Sequence, residues 1–253
     1  VSDLDRLRLD GPWLDLEGGA RVGGSSANAK FIWSPDGKPP DYLIHNSLSV
    51  SRGLRLNRCL RVTPIERIIL AGYQWDYLLE AFWPPEKYRR KLAEWREIGF
   101  RCITQFDFSV FYQDPEEIRS RNLFRNFLLL KEQQDAGYKV ALNFNNILAW
   151  NLSVYRKILK PPIPTMVIDA NHSTHEARYL PMEMQALRFC VEELGVKDVV
   201  LWSNSARQLP MELAIPALGA RVHRVPVEWT FVRLKRKGQE TGERWSRLES
   251  GGE

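Results

Sequence analysis

One phrase, repeated four times, limits what this chain can fold into: an amphipathic stretch, a glycine, then a short β-branched or aromatic run. It occurs at Ile98-Gly99-Phe100, Ala136-Gly137-Tyr138, Leu194-Gly195-Val196 and Leu218-Gly219-Ala220. A glycine in that place takes the left-handed conformation that ends a helix without a Cβ clash. The runs predict strands over 67–73, 101–108, 139–145, 165–170, 198–203 and 221–227. The stretches between them predict helices over 86–98, 115–136, 147–159, 176–194 and 210–218, the first begun by Pro84-Pro85 and the second capped by Asp114. Strands that alternate with helices require crossover connections and so a mostly parallel sheet. The expected class is α/β, built of repeated βα units. A barrel-like sheet of the TIM type, complete or partial, is favoured over an open doubly wound one. Neither G-x-G-x-x-G nor G-x-x-x-x-G-K-[ST] follows any strand, which argues against a nucleotide-binding open sheet.

The repeat covers the middle of the chain. Residues 65–232 are read as the βα-repeat core. Residues 1–64, rich in Gly, Ser, Pro and Asn, are read as an irregular or β-rich extension, with short strands over 30–33 and 42–46 and a turn over 34–40. The glycines at 18–19 and 23–24 read as a loop or strand connection. Residues 233–253 read as a basic, mobile tail. No apolar run approaches the roughly 20 residues that a bilayer requires, so no membrane partner is expected. Three widely spaced cysteines, Cys59, Cys102 and Cys190, carry neither a disulfide nor a zinc signature. They read as reduced, buried thiols. The first residues carry no secretory signal, and the expected compartment is the cytoplasm.

In a parallel α/β protein, ligands bind beyond the carboxyl ends of the strands. Those ends are polar here: Asp76 after the first core strand, Gln105, Asp107 and Ser109 after the second, Asn143, Asn145 and Asn146 after the third, Asp169 and His172 after the fourth. Gln105 and Asp107 are two apart, as are Asn143 and Asn145, so each pair faces one side of its strand. Asp76, Asp107, Asp169 and His172 form an oxygen-rich candidate site for a divalent metal, with Asp107, Asp169 and His172 as catalytic candidates in metal-assisted hydrolysis. The competing reading is that these residues cap helices and form turns. His45 and His223 read as structural or exposed.

The net charge of +5 permits a polyanionic partner without demanding one. Arg52, Arg55 and Arg58 recur every third position. Arg89 and Arg90 lie on the first clear helix, and Arg121 and Arg125 on the next. Arginine forks suit phosphate, and Trp75 and Trp202 at strand ends offer faces for a base or ring. With Asn145 these are the candidate contacts for a substrate or a nucleic acid. The opposing reading is a solvated helix face, and Glu86, Glu94 and Glu97 on the same helix support it.

Phe106-Asp107-Phe108-Ser109-Val110-Phe111 and Arg121-Asn122-Leu123-Phe124-Arg125-Asn126 resemble an uncharacterised family of α/β proteins borne by phages, plasmids and other mobile elements. In that family an Asp-Phe-Ser strand end precedes a helix with an Asn/Arg pattern, and a further strand follows. The resemblance covers residues 65–205 and implies a mobile-element context and a nucleic-acid-related role, with DNA or RNA as partner. It implies no catalytic residues. The leading expectation is thus a nucleic-acid-associated protein. A metal-assisted hydrolase and a non-catalytic interaction protein stand beside it.

Overall fold

The computed structural model describes residues 7–25, 32–34, 37–46, 57–72, 76–169, 179–202 and 209–225. Its sheet is built from β1 (Val22–Ser25), β2 (Ile32–Trp33), β3 (Tyr42–Asn46), β4 (Ile68–Ala71), β5 (Cys102–Thr104), β6 (Lys139–Asn143), β7 (Thr165–Asp169), β8 (Asp198–Trp202) and β9 (Arg221–Val225). β1 and β3 through β9 are eight parallel strands in sequential order. β9 returns against β1, so the sheet curls into a nearly closed barrel. β2 pairs antiparallel with the end of β1, Gly24 opposite Trp33 and Ser25 opposite Ile32. The barrel-like, mostly parallel α/β fold read from the sequence is the fold observed.

Helices α1 (Asn57–Leu60), α2 (Asp76–Leu79), α3 (Pro85–Ile98), α4 (Glu116–Asp135), α5 (Leu152–Ile158), α6 (Leu180–Arg188) and α7 (Leu209–Ala217) lie in the connections. α3 buries Tyr88, Leu92 and Trp95, one face at helical spacing. α6 continues into a π-helical turn over Phe189–Glu193. The four glycines of the repeated phrase all have positive φ, from 75° at Gly195 to 120° at Gly99.

Strand alternation divides the core in two. Leu43, Ile68, Leu70, Ile103, Val140 and Leu142 join the helices in an outer layer. Val22, Ile44, Ile69, Cys102, Ala141, Val167, Val200 and Val225 fill the barrel axis, one from each parallel strand. The three thiols are free and buried, as expected.

Residues 1–64 are not an extension apart from the core, because they supply two barrel strands, β1 and β3. Val22-Gly23-Gly24-Ser25 looks like a loop from its glycines, yet pairing on both edges makes it a strand. The residues that precede β1 seal the floor. Trp13 bridges to Val140, Leu14 N donates to Val140 O at 2.8 Å, and Leu14 and Leu16 enter the axial core. The tail, 233–253, lies outside the described residues. No described helix is long and apolar enough to cross a membrane.

Candidate active site

The polar strand ends do gather at one rim, but not by strand alternation. β5 stops at Thr104 because the next residue turns its side chain into the ladder: Gln105 N still donates to Ala141 O, while Gln105 Oε1 accepts from Asn143 N at 3.2 Å. β6 stops at Asn143, whose Oδ1 accepts from Asn145 N at 2.9 Å and starts a 3₁₀ turn over Phe144–Asn146. The same-face expectation for Gln105/Asp107 and Asn143/Asn145 is therefore replaced by two departures from the sheet. These bring the same residues together by a different route.

Helix α4 holds the segment after β5. Asn126 accepts from Phe108 N at 2.7 Å and donates to Phe108 O at 2.9 Å. Asn122 Nδ2 donates to Ser109 O at 2.8 Å, and Gln133 Nε2 donates to Thr104 O at 3.0 Å. The Asn/Arg pattern on this helix is thus a clamp on the β5 end. Its signal in the sequence is a row of amides on the same helical face as Leu123, Phe127 and Leu130, where an amphipathic helix carries apolar residues. Asp76, at the start of α2, accepts from Ser109 N at 3.0 Å and from Ser109 Oγ at 2.8 Å. It too braces this segment.

The clamp presents Asp107. The residue keeps a partly exposed edge, but its Oδ1 is buried with no hydrogen-bond partner. Burial pushes its carboxyl up to about 7, and the neighbouring Asp76 and Asp169 charges push the same way, against the Asn143 and Asn146 amides. Asn146 stands near enough to favour the ionised form yet closes no hydrogen bond of good geometry: its Nδ2 and Oδ1 are both buried without a partner. Gln105 Nε2 and the Tyr155 hydroxyl are orphaned too. Asp169, 3% exposed at the end of β7, has its carbonyl held by Asn145 Nδ2 at 2.7 Å. Trp202, paired with Asp169 across the β7–β8 ladder, lies in the axial core.

Of the expected catalytic and metal set, the structure brings Asp76, Asp107 and Asp169 together electrostatically, and His172 lies outside the described residues. Among the described residues, no three His, Cys, Asp or Glu side chains are placed to hold a metal ion. Asn145 is a structural tie rather than a free contact. His45 and His223 have local partners. His45 Nδ1 meets Ser25 Oγ at 2.5 Å, and burial lowers its pKa to about 4. His223 Nε2 meets Asp198 Oδ1 at 2.7 Å.

The nucleic-acid reading is corrected. Arg89 makes a two-pronged pair with Glu132, at 2.5 and 2.6 Å, on the helical layer. Arg125 is 8% exposed, bonds Glu80 at 2.8 Å, and stacks 3.5 Å from the Phe108 ring centroid and 4.7 Å from that of Trp83. Arg125 is thus a buried fastener, and Arg89 ties α3 to α4 at the surface. Of the expected arginines, Arg90 and Arg121 are exposed positions on α3 and α4 among the described residues. Arg52, Arg55, the Arg58 side chain and Trp75 lie outside the described residues.

No family model matches the chain, and no curated protein matches it. Among solved structures it resembles the crystal structure of a D-allulose 3-epimerase from Methylomonas sp. in complex with D-allulose. The identity is 10% and the TM-score 0.45, over 85% of this chain and 86% of that one.

Proposed function

We propose that the rim around Asp107 is an active site for proton transfer to and from a small, uncharged, hydrogen-bonding molecule. Asp107 is the group that moves the proton. One observation carries this reading: a carboxyl at the carboxyl ends of barrel strands, poised near pH 7, with a buried oxygen that has no partner. A general acid–base is most effective when its pKa lies near the working pH. Three acids at one rim repel anions, whereas amides beside them suit hydroxyl and carbonyl groups. Trp202 offers an apolar wall.

The test uses the full chain. Carbon-13 NMR of labelled aspartate, with Asp107→Asn to assign the signal, is expected to show titration near 7. Incubation with small carbonyl compounds in D₂O is expected to exchange carbon-bound hydrogen next to the carbonyl. Asp107→Asn slows that exchange by about 10²–10⁴-fold, the usual worth of general acid–base catalysis. Titration below about 4.5, in the ordinary carboxylate range, would overturn the assignment.

A further inference from the structure

We infer that Asn146 receives a hydroxyl and an adjacent carbonyl of the same molecule, so that the substrate class is an α-hydroxy aldehyde or ketone. This deepens the proton-transfer reading and rests on it. Asn146 is fully buried beside the Asp107 carboxyl, and neither end of its amide closes a hydrogen bond of good geometry. A buried amide in that state is costly unless a ligand or ordered water completes it.

The side chain is also held firmly. Ile147 N donates to Phe144 O at 2.8 Å, which closes the turn, and Asn151 Nδ2 donates to Asn146 O at 2.9 Å. Asn151 is fixed in its turn, since its Oδ1 accepts from Leu148 N at 2.9 Å. The backbone beneath the amide is thus locked, while the amide itself closes no hydrogen bond of good geometry. Its neighbour Asn145 is tied to Asp169 O. Gln105 is half used: its Oε1 is held by Asn143 N, and its Nε2 remains a buried donor without a partner.

An amide shows one donor and one acceptor side by side. Its complement is a group that accepts and donates side by side, as a carbonyl next to a hydroxyl does. A carboxylate offers two acceptors and would be repelled by Asp76, Asp107 and Asp169. Because Asn146 stands beside the Asp107 carboxylate, the carbon joining the hydroxyl to the carbonyl is brought to the proton-moving group. The hydrogen on that carbon is the acidic one. In the step implied, Asp107 takes that proton and the C–H electron pair forms the C=C bond of an enolate. The carbonyl π pair moves to its oxygen, where Asn146 Nδ2 and Gln105 Nε2 are suited to donate. The proton then returns to carbon.

The experiment compares the full chain with Asn146→Leu, an isosteric change that removes both hydrogen-bonding ends. The probes are dihydroxyacetone, acetone, glycerol and 2-pyrrolidinone. The wild type is expected to exchange deuterium into dihydroxyacetone far faster than into acetone, and neither glycerol nor 2-pyrrolidinone should compete. Asn146→Leu is expected to raise KM for dihydroxyacetone at least tenfold, to move the pH profile of kcat only upward, because Asn146 favours the ionised form of Asp107, and to melt no lower than the parent. A lower Tm with unchanged KM would make Asn146 a structural residue and overturn the inference. Equal exchange of acetone, or strong competition by 2-pyrrolidinone, would overturn the hydroxy-carbonyl class and leave Asp107 standing. Failure of the wild type to exchange any probe would remove the proton-transfer reading and this inference with it.

Discussion

Asp107 is stable in the fold only because its proton comes at little cost. Folded, it keeps that proton to about pH 7; unfolded, it releases it near the ordinary aspartate value of 3.8. The folded state therefore holds the extra proton between those values, and stability falls as pH rises through that window. Asp107→Asn does not titrate. It is expected to be more stable than the parent at pH 8, by on the order of a few kcal/mol, and equal to it at pH 4. Urea denaturation at the two pH values checks this. His45 has the opposite sign. Its pKa is lowered to about 4 by burial, so its neutral form supports the fold above about 6.5, and that support is lost as pH falls toward 4. The identity of the acids at the rim was legible in the sequence, because strand-end positions can be counted. Their protonation was not, since it depends on Asp76 and Asp169 arriving from a helix start and another strand, and on burial that no local pattern encodes.

At the scale of elements, the end of β5 is held from several sides. Phe106 packs with Tyr88 at 4.7 Å between ring centroids, with Phe82 at 5.5 Å and with Trp95 at 6.3 Å. Its ring covers Gly72, where an added Cβ would fall 2.1 Å from Phe106 Cδ1. Gly72→Ala is expected to destabilise by at least the usual overpacking cost of about 1–3 kcal/mol, and by less in a Phe106→Leu background. A double-mutant cycle in denaturant measures that coupling. Asn126→Leu would leave the Phe108 N–H and C=O buried and unpaired, at a cost of about 2–4 kcal/mol. It should also blur the Asp107 titration, read by the NMR experiment above. Helix α4 was legible as a helix, and its Asn/Arg pattern was noticed. The meaning of that pattern was hidden, because Arg125 reads as a surface charge until Phe108 and Trp83 are placed around it.

For the molecule as a whole, parallel order came through from the sequence because glycine-ended helices alternate with strands. Closure did not. It needed Val22–Ser25, whose glycines mask a strand, and a contact between the first and last parallel strands. The floor of the barrel is fastened by Asp198, whose buried carboxylate meets Arg221 at 2.7 and 2.8 Å and His223 at 2.7 Å. Burial alone would raise its pKa; the His223 and Arg221 bonds outweigh that and hold it below the usual value. Its contribution is therefore present above about 3.8 and lost as pH falls below. Asp198→Ala is expected to cost about 1–3 kcal/mol at pH 7, with the difference shrinking in acid, as thermal melts across pH would show.

β1 and β9 meet although they come from opposite ends of the described chain. Helices near the middle can form from neighbours in sequence, but this meeting waits on one of the longest loop closures in the molecule. A nascent polypeptide still lacking residues 221–225 would offer β8 an open flank and leave β1 without its far neighbour. Both are sticky strand edges during synthesis. Removal of β1 or β9 is therefore expected to do more than trim: it would turn a nearly closed barrel into a sheet with free margins, prone to associate with other copies of itself.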